Sequence, residues 1–525
     1  MGKTTSRTHN SILNIASGLG GQLIATILKF VVRTVFIHTL GKSYLGINGL
    51  FSDILTMLSL TELGFDTAIN FKLYKPLAEG DDKRVRVLLK FYKSAYRVVG
   101  LCILSLGLAL IPFLPVLIKD YDSLASLGIN ATIIFLLHIM RQVCSYLFFA
   151  YRSVIMKANQ RMYILDLVGF GINLLTSVVK ILVLVFLKNF VLYTATVVVF
   201  NILQNLINAT IAEKLYPQFF VCEEEKMDKD EIRGMLKDCG AVFVYRINNV
   251  VLKATDNMVI SSFIGLITVG LYSNYLLFYN TVNSFFDRIF KAVKASMGNL
   301  FAVEPDEKKY KFFRIMNFVS ILLYGTSGLG IAICADELIS VWVGDDYVIA
   351  QPFAILIGIE ILFHGIKINL GQIRNVSGIF RQMWFRPVIG VIINLGVSIV
   401  LVQFIGVYGV IIGTITADIF ANFLVDPGLI HKYAFNNLKP VSEYYFRNLQ
   451  YIIVLVAVGG IDFWICNNFL MGHGWISVII HTMIVGLSVP AVLILVFHRS
   501  DECKYVVNKI KRIIFRKKGS GKKAK

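Results

Sequence analysis

Long apolar runs separated by short polar gaps fill almost the whole chain. A helix needs about 20 mostly apolar residues to cross a bilayer. Segments of that kind occur at 12–38, 45–70, 94–118, 127–150, 163–187, 190–212, 239–262, 267–290, 312–334, 350–373, 384–404, 408–430, 446–467 and 475–498. The pattern predicts an all-α polytopic membrane protein with about fourteen transmembrane helices and no large domain outside the bilayer.

Composition agrees: 56% of the 525 residues are hydrophobic and only 16% charged, and mean hydropathy is +0.68. An average soluble domain is about 25% charged. The formal net charge is +19, and its placement decides topology. Of 52 basic residues, 41 fall in alternate gaps or at the ends: 72–93, 152–161, 214–237, 288–314, 374–386, 432–447 and both termini. The other set of gaps holds Lys42, Lys119 and Lys188. The positive-inside rule then places both termini in the cytoplasm of a plasma-membrane protein. None of the seven cysteines forms a C-x-x-C pair, so no disulfide framework, metal site or cofactor is expected. No folded basic surface points to nucleic acid. The tail from Arg499 to Lys525 mixes apolar residues with lysines and arginines, which suits either an interfacial helix on anionic lipid or an ordinary stop-transfer tail.

Eight bases remain inside the spans: Lys29, Arg33, Arg97, Arg141, Lys180, Arg246, Lys253 and Lys367. Each costs about 2.5–3.5 kcal/mol at the bilayer centre on insertion scales. Arg97 and Lys180 are placed to snorkel. The others recur. At an offset of 224 residues, Leu28-Lys29 meets Leu252-Lys253, Gly41 meets Gly265 and Gly46 meets Gly270. At an offset of 226, His138-x-x-Arg141 meets His364-x-x-Lys367. Weak internal symmetry of this kind marks duplicated transporter halves. The expected organisation is an N-terminal six-helix lobe (1–215), a cytoplasmic linker (216–238), a C-terminal six-helix lobe (239–432), a helix pair (433–498) and a basic tail (499–525).

Helical spacing groups His138, Arg141, Gln142 and Ser145 on one face and Glu360, His364 and Lys367 on another. Such stripes cannot face lipid. Lys29, Arg33, Arg141, Arg246, Lys253 and Lys367 outnumber Asp53, Asp256 and Glu360, with Asp53 placed to pair with Arg33. An excess of bases favours a cavity for an anionic ligand over a balanced structural network. His138 and His364 join the bases as candidate ligand contacts, and the three carboxylates are candidates for ion coupling. A carboxylate-dominated cavity, as a multidrug cation antiporter needs, has the opposite sign. A membrane-embedded polymerase would call for a larger external loop than 335–349.

The stretch Gly41-Lys-Ser-Tyr-Leu-Gly-Ile-Asn-Gly-Leu-Phe51, with Leu58-Ser-Leu-Thr-Glu-Leu-Gly64 and Leu73-Tyr-Lys-Pro-Leu-Ala78, resembles the first hairpin of the polysaccharide transporters. These are the Wzx-type flippases of the multidrug, oligosaccharidyl-lipid and polysaccharide (MOP) exporter superfamily. Thr255-Asp-Asn-Met-Val-Ile-Ser261 and Gly270-Leu-Tyr-Ser-Asn-Tyr275 resemble its counterpart in the second half. The resemblance implies two pseudo-symmetric six-helix lobes around a central cavity worked by alternating access. It implies an undecaprenyl-diphosphate-linked oligosaccharide as cargo, flipped to the outer leaflet for capsule- or O-antigen-type polysaccharide. Its partners would be membrane lipid, a polysaccharide polymerase and other proteins of that pathway. Helices 13 and 14 match in number and position the extra pair of the related lipid II flippase. No Walker A pattern is present, so a cation gradient or the membrane potential is the expected drive.

Overall fold

The computed structural model describes the chain except residues 1–6, 60–64, 120, 127, 160, 222–226, 235–253, 351, 380, 384, 470–473 and 517–525. Within helices it leaves aside some side chains, chiefly 7–23, 65–71 and 512–516. The described residues are helical throughout and contain no strand. They form two compact units, Met1–Gly270 and Leu271–Lys525.

Every predicted span coincides with helix, the second and seventh only in their described parts. In the first unit these are α1 (Arg7–Leu40), α2 (Lys42–Leu58), α3 (Phe65–Glu79), α4 (Asp82–Leu117), α5 (Ala131–Leu147), α6 (Met162–Leu187), α7 (Phe190–Leu215) and α8 (254–263). Next comes α9 (Leu266–Val303), which crosses from one unit to the other. The second unit continues with α10 (Asp306–Val343), α11 (Pro352–Ser377), α12 (Phe385–Ile405), α13 (Val407–Ala434), α14 (Val441–Phe469), α15 (Trp475–Val496) and α16 (Asp501–Arg516). Among the described residues, nine helices are long and apolar enough to cross a membrane by themselves. A bent pair, Ala131–Leu147 with Ala150–Ala158, makes ten.

Local signals set the boundaries. Asp81, Asn130 and Asn189 each accept a hydrogen bond from the backbone N–H three residues on, capping α4, α5 and α7. Gly41 and Gly265, equivalent in the repeat, break the chain at φ +84° and +131° before α2 and α9, conformations that favour glycine. Within the first unit, α1 packs on α6, α4 on α5, and α7 on both α5 and α6. There Phe36, Phe190 and Tyr193 meet at ring-centroid distances of 5.1–5.9 Å.

The second unit is held by small residues and one aromatic core. A Cβ on Gly328 or Gly358 would meet the other glycine's carbonyl oxygen at 2.5 or 2.4 Å, so α10 and α11 touch backbone to backbone. Ser398 and Gly413 bring α12 and α13 together in the same way. The core runs through Phe313, Phe318, Phe435, Tyr444 and Tyr451 to Val489 and Leu493 of α15 and Cys503 and Val506 of α16. Large apolar side chains such as Phe186, Phe404 and Ile476 point outward, as lipid-facing positions require.

Among the described residues, three helices contain a π-helical turn, at Val183–Leu187, Ile321–Gly325 and Asp418–Leu424. Such turns rotate the side chains that follow and often lie at functional sites. Two of them carry residues of the polar network below.

Candidate polar sites in the two units

In the first unit, bases converge on Tyr193 of α7. Lys180 of α6 lies over its ring, 5.0 Å from the centroid. Arg33 of α1 and Arg141 of α5 are close enough for their charges to act on its phenol, and Arg141 repels Lys180. All four side chains are half-buried. Among the described residues no carboxylate forms a salt bridge with Arg141 or Lys180. Lys180 was expected to snorkel. The structure instead sets it beside Arg141 and an aromatic face that attracts cations.

The neighbouring stripe on α5 is used otherwise. His138 is fully buried, its Nδ1 2.9 Å from the Ile134 carbonyl and its ring edge-on to Phe51. Gln142 donates to Tyr146, and Ser145 donates to the Arg141 carbonyl. Lys29 is exposed on α1. Asp53 accepts a hydrogen bond from Asn257 of α8, next to the buried Asp256. Arg246 and Lys253 lie outside the described residues.

In the second unit, bases on α11 face acids on α13. Lys367 Nζ donates to both oxygens of Asp418, at 3.0 and 3.3 Å. Asn422 Nδ2 donates to Asp418 at 2.6 Å and its carbonyl accepts from Arg386 of α12. Asp426 then takes Arg386 Nε at 3.1 Å and Arg374 Nη1 at 3.4 Å. The spacing explains the ladder: Asp418, Asn422 and Asp426 are four residues apart, as are Glu360 and His364, with Lys367 three further on. The π turn beginning at Asp418 sets the direction of the acidic row.

A second branch starts at Asp287 of α9. It accepts from Tyr324 Oη at 2.9 Å and lies 3.2 Å from His364 Nε2. His364 Nδ1 is 3.4 Å from Tyr279 Oη, and Tyr279 also hydrogen-bonds the buried Glu360. Tyr324 sits in the second π turn.

The reading of Lys367 as an unpaired base is therefore corrected. Lys367 is bound to Asp418, and Asp287, Asp418 and Asp426 had been left out of the balance. The four-residue spacing of Asp418, Asn422 and Asp426 was visible within the predicted span 408–430. The duplicated motif has diverged: His138 hydrogen-bonds the Ile134 carbonyl of its own helix and Arg141 has no acid bridged to it among the described residues, whereas His364 and Lys367 each hold one. Among the described residues, it is the first unit that sets Arg141 and Lys180 side by side with no acid bridged to either.

Comparisons place this architecture. Residues 136–352 match a family model described as polysaccharide biosynthesis protein. No curated protein sequence matches the chain. Among solved structures, lipid II flippase MurJ in an inward closed conformation aligns with TM-score 0.64 at 16% identity, over 92% of this chain and 99% of that one. An inward-facing multidrug resistance MATE transporter of the MOP superfamily aligns with TM-score 0.55 at 13% identity, over 79% of this chain and 96% of that one. A point mutant of the Vibrio cholerae MATE transporter VcmN gives 0.51 at 14% identity over 81% and 99%. At such identities the likeness is one of fold.

Proposed function

We propose that the chain is a multi-pass membrane transporter of the MOP superfamily, on the polysaccharide side of it, and that it flips an undecaprenyl-diphosphate-linked oligosaccharide from the inner to the outer leaflet. The destination is a surface polysaccharide of capsule or O-antigen type, and no catalytic step is assigned to the chain. The observation that carries this reading is the cluster of Arg33, Arg141 and Lys180 around Tyr193. A diphosphate offers at least two negative charges and several acceptor oxygens, which guanidinium and ammonium groups bind best where water is scarce. Arg141 and Lys180, to which no carboxylate among the described residues is bridged, can meet it, and Tyr193 can hydrogen-bond the same phosphates.

The second unit takes a different part. Its bases are already neutralised, so we assign it ion coupling rather than cargo binding. Asp287 and Glu360, joined to His364, Tyr279 and Tyr324, and Asp418, held by Lys367, can exchange a proton or a small cation as the transporter alternates. Asp53 and Asp256 are further candidates in the first unit.

The test pairs Arg141→Ala and Lys180→Ala with Arg141→Glu. Each is scored for membrane abundance and for translocation of an undecaprenyl-diphosphate oligosaccharide in proteoliposomes. One charge-assisted hydrogen bond is worth about 1.5–3 kcal/mol, so each alanine variant should weaken cargo binding by roughly ten- to hundredfold at near-normal abundance. Arg141→Glu should be the most severe. Abundant protein with unimpaired translocation in all three would overturn the assignment.

A further inference from the structure

The C-terminal helix α16 has a task that flipping does not account for. Four residues separate it from the end of α15, a link of at most about 14 Å. If α15 spans the bilayer, α16 starts at the membrane surface, and its 16 residues run for about 24 Å. Its first two turns are fixed to the second unit. Glu502, only 2% exposed, accepts from Arg314 Nε at 2.5 Å, and Arg314 also reaches Glu443 of α14 at 3.5 Å. Cys503 and Val506 are buried and Val507 packs against the same core.

From Asn508 to Lys511 the protein no longer covers the helix. Ile510 lies three and four residues after that buried face and continues it, yet it is 43% exposed. Tyr505 is exposed, and Lys504, Lys509 and Lys511 surround these apolar positions. From Arg499 to the end there are eleven lysines and arginines against Asp501 and Glu502, and Glu502 is consumed by Arg314. The pin thus removes one of two acids and leaves an apolar stripe flanked by bases beside a membrane.

We propose that α16 is a lipid-binding arm: the Arg314–Glu502 pair orients it, and its second half lies on the acidic phospholipid headgroups of the leaflet from which α15 emerges. Charge complementarity selects the occupant. Each lysine gains from a negatively charged headgroup layer, and Ile510 enters the boundary between headgroups and acyl chains. A soluble acidic partner would leave that apolar stripe in water.

The experiment uses the full chain in a background lacking the other cysteines, with Ile510→Cys or Asn508→Cys carrying an environment-sensitive fluorophore. Vesicles contain phosphatidylcholine alone or with one third phosphatidylglycerol, plus a lipid with a nitroxide near the top of its chain. The label at 510 should be quenched at least twofold more in the acidic vesicles. That difference should vanish in 0.5 M salt, because screening lengths of about 3 Å at 1 M and 10 Å at 0.1 M bracket this range. It should also vanish when Lys504, Lys509 and Lys511 are changed to Gln. The label at 508, some 200° around the helix, should be little quenched. Equal quenching at 510 in both vesicle types, or none in either, would overturn the proposal, as would equal quenching at 508 and 510.

Discussion

Substitution of Gly46 tests a close backbone contact in the first unit. A Cβ at Gly46 would lie 1.9 Å from the Leu266 carbonyl oxygen, and one at Gly270 would lie 2.5 Å from the Lys42 carbonyl oxygen. Both glycines are buried. In the 224-residue repeat Gly46 is equivalent to Gly270 and Lys42 to Leu266, so the contact is reciprocal, as across a two-fold axis. A carbon beside a carbonyl oxygen needs about 3.3–3.6 Å, so Gly46→Ala must part α2 from α9 by roughly 1.5 Å. The obstructing atom is backbone and cannot swing aside. Overpacking of this kind costs about 1–3 kcal/mol, and the gain in helix propensity from Gly to Ala returns at most about 1 kcal/mol. Gly49, one turn on, has only Val269 Cγ1 at 3.6 Å and Asn257 Nδ2 at 3.8 Å, so there the propensity gain should win.

The assay is thermal unfolding of the purified variants in one detergent. Gly46→Ala and Gly270→Ala should lower the midpoint, and Gly49→Ala should hold or raise it. Because one separation of the helices relieves both clashes, the double variant should cost little more than the worse single. A Gly46→Ala midpoint equal to or above that of Gly49→Ala, or strictly additive losses, would refute the reasoning.

Two further outcomes follow from the charges. Lys367→Ala should reduce folded abundance, because it orphans Asp418, whose side chain is 4% exposed; breaking a buried pair costs about 3–5 kcal/mol. Lys367→Met combined with Asp418→Leu should recover much of that abundance, which detergent-solubilised yield would read, and no recovery would show that the pair does more than balance charge. For topology, single cysteines at Ser123 and Asp345 should react with an impermeant reagent from outside the cell and those at Glu79, Asp228 and Asp306 should not. Labelling of both sets from one side would refute cytoplasmic termini.

Much of this architecture was legible in the order of residues because the bilayer is a demanding solvent. A run of twenty apolar residues has one stable solution there, with every backbone group paired within the helix, so each predicted span coincides with helix where it is described. The repeat was legible for a related reason: Gly41 and Gly265 satisfy the same backbone need, and both have positive φ. What the order of residues did not determine was which charges would meet. Helical periodicity places a side chain on a face but not the face against a neighbour, so Lys367 read as a spare base until α13 brought Asp418 to it. Lys180 read as a base placed to snorkel until α7 laid Tyr193 under it. Those pairings depend on how helices distant in sequence rotate and pack, with π turns at Tyr324 and Asp418 adjusting the rotation. A charge has low energy or high according to its neighbours a few ångströms away, and only the tertiary structure supplies them.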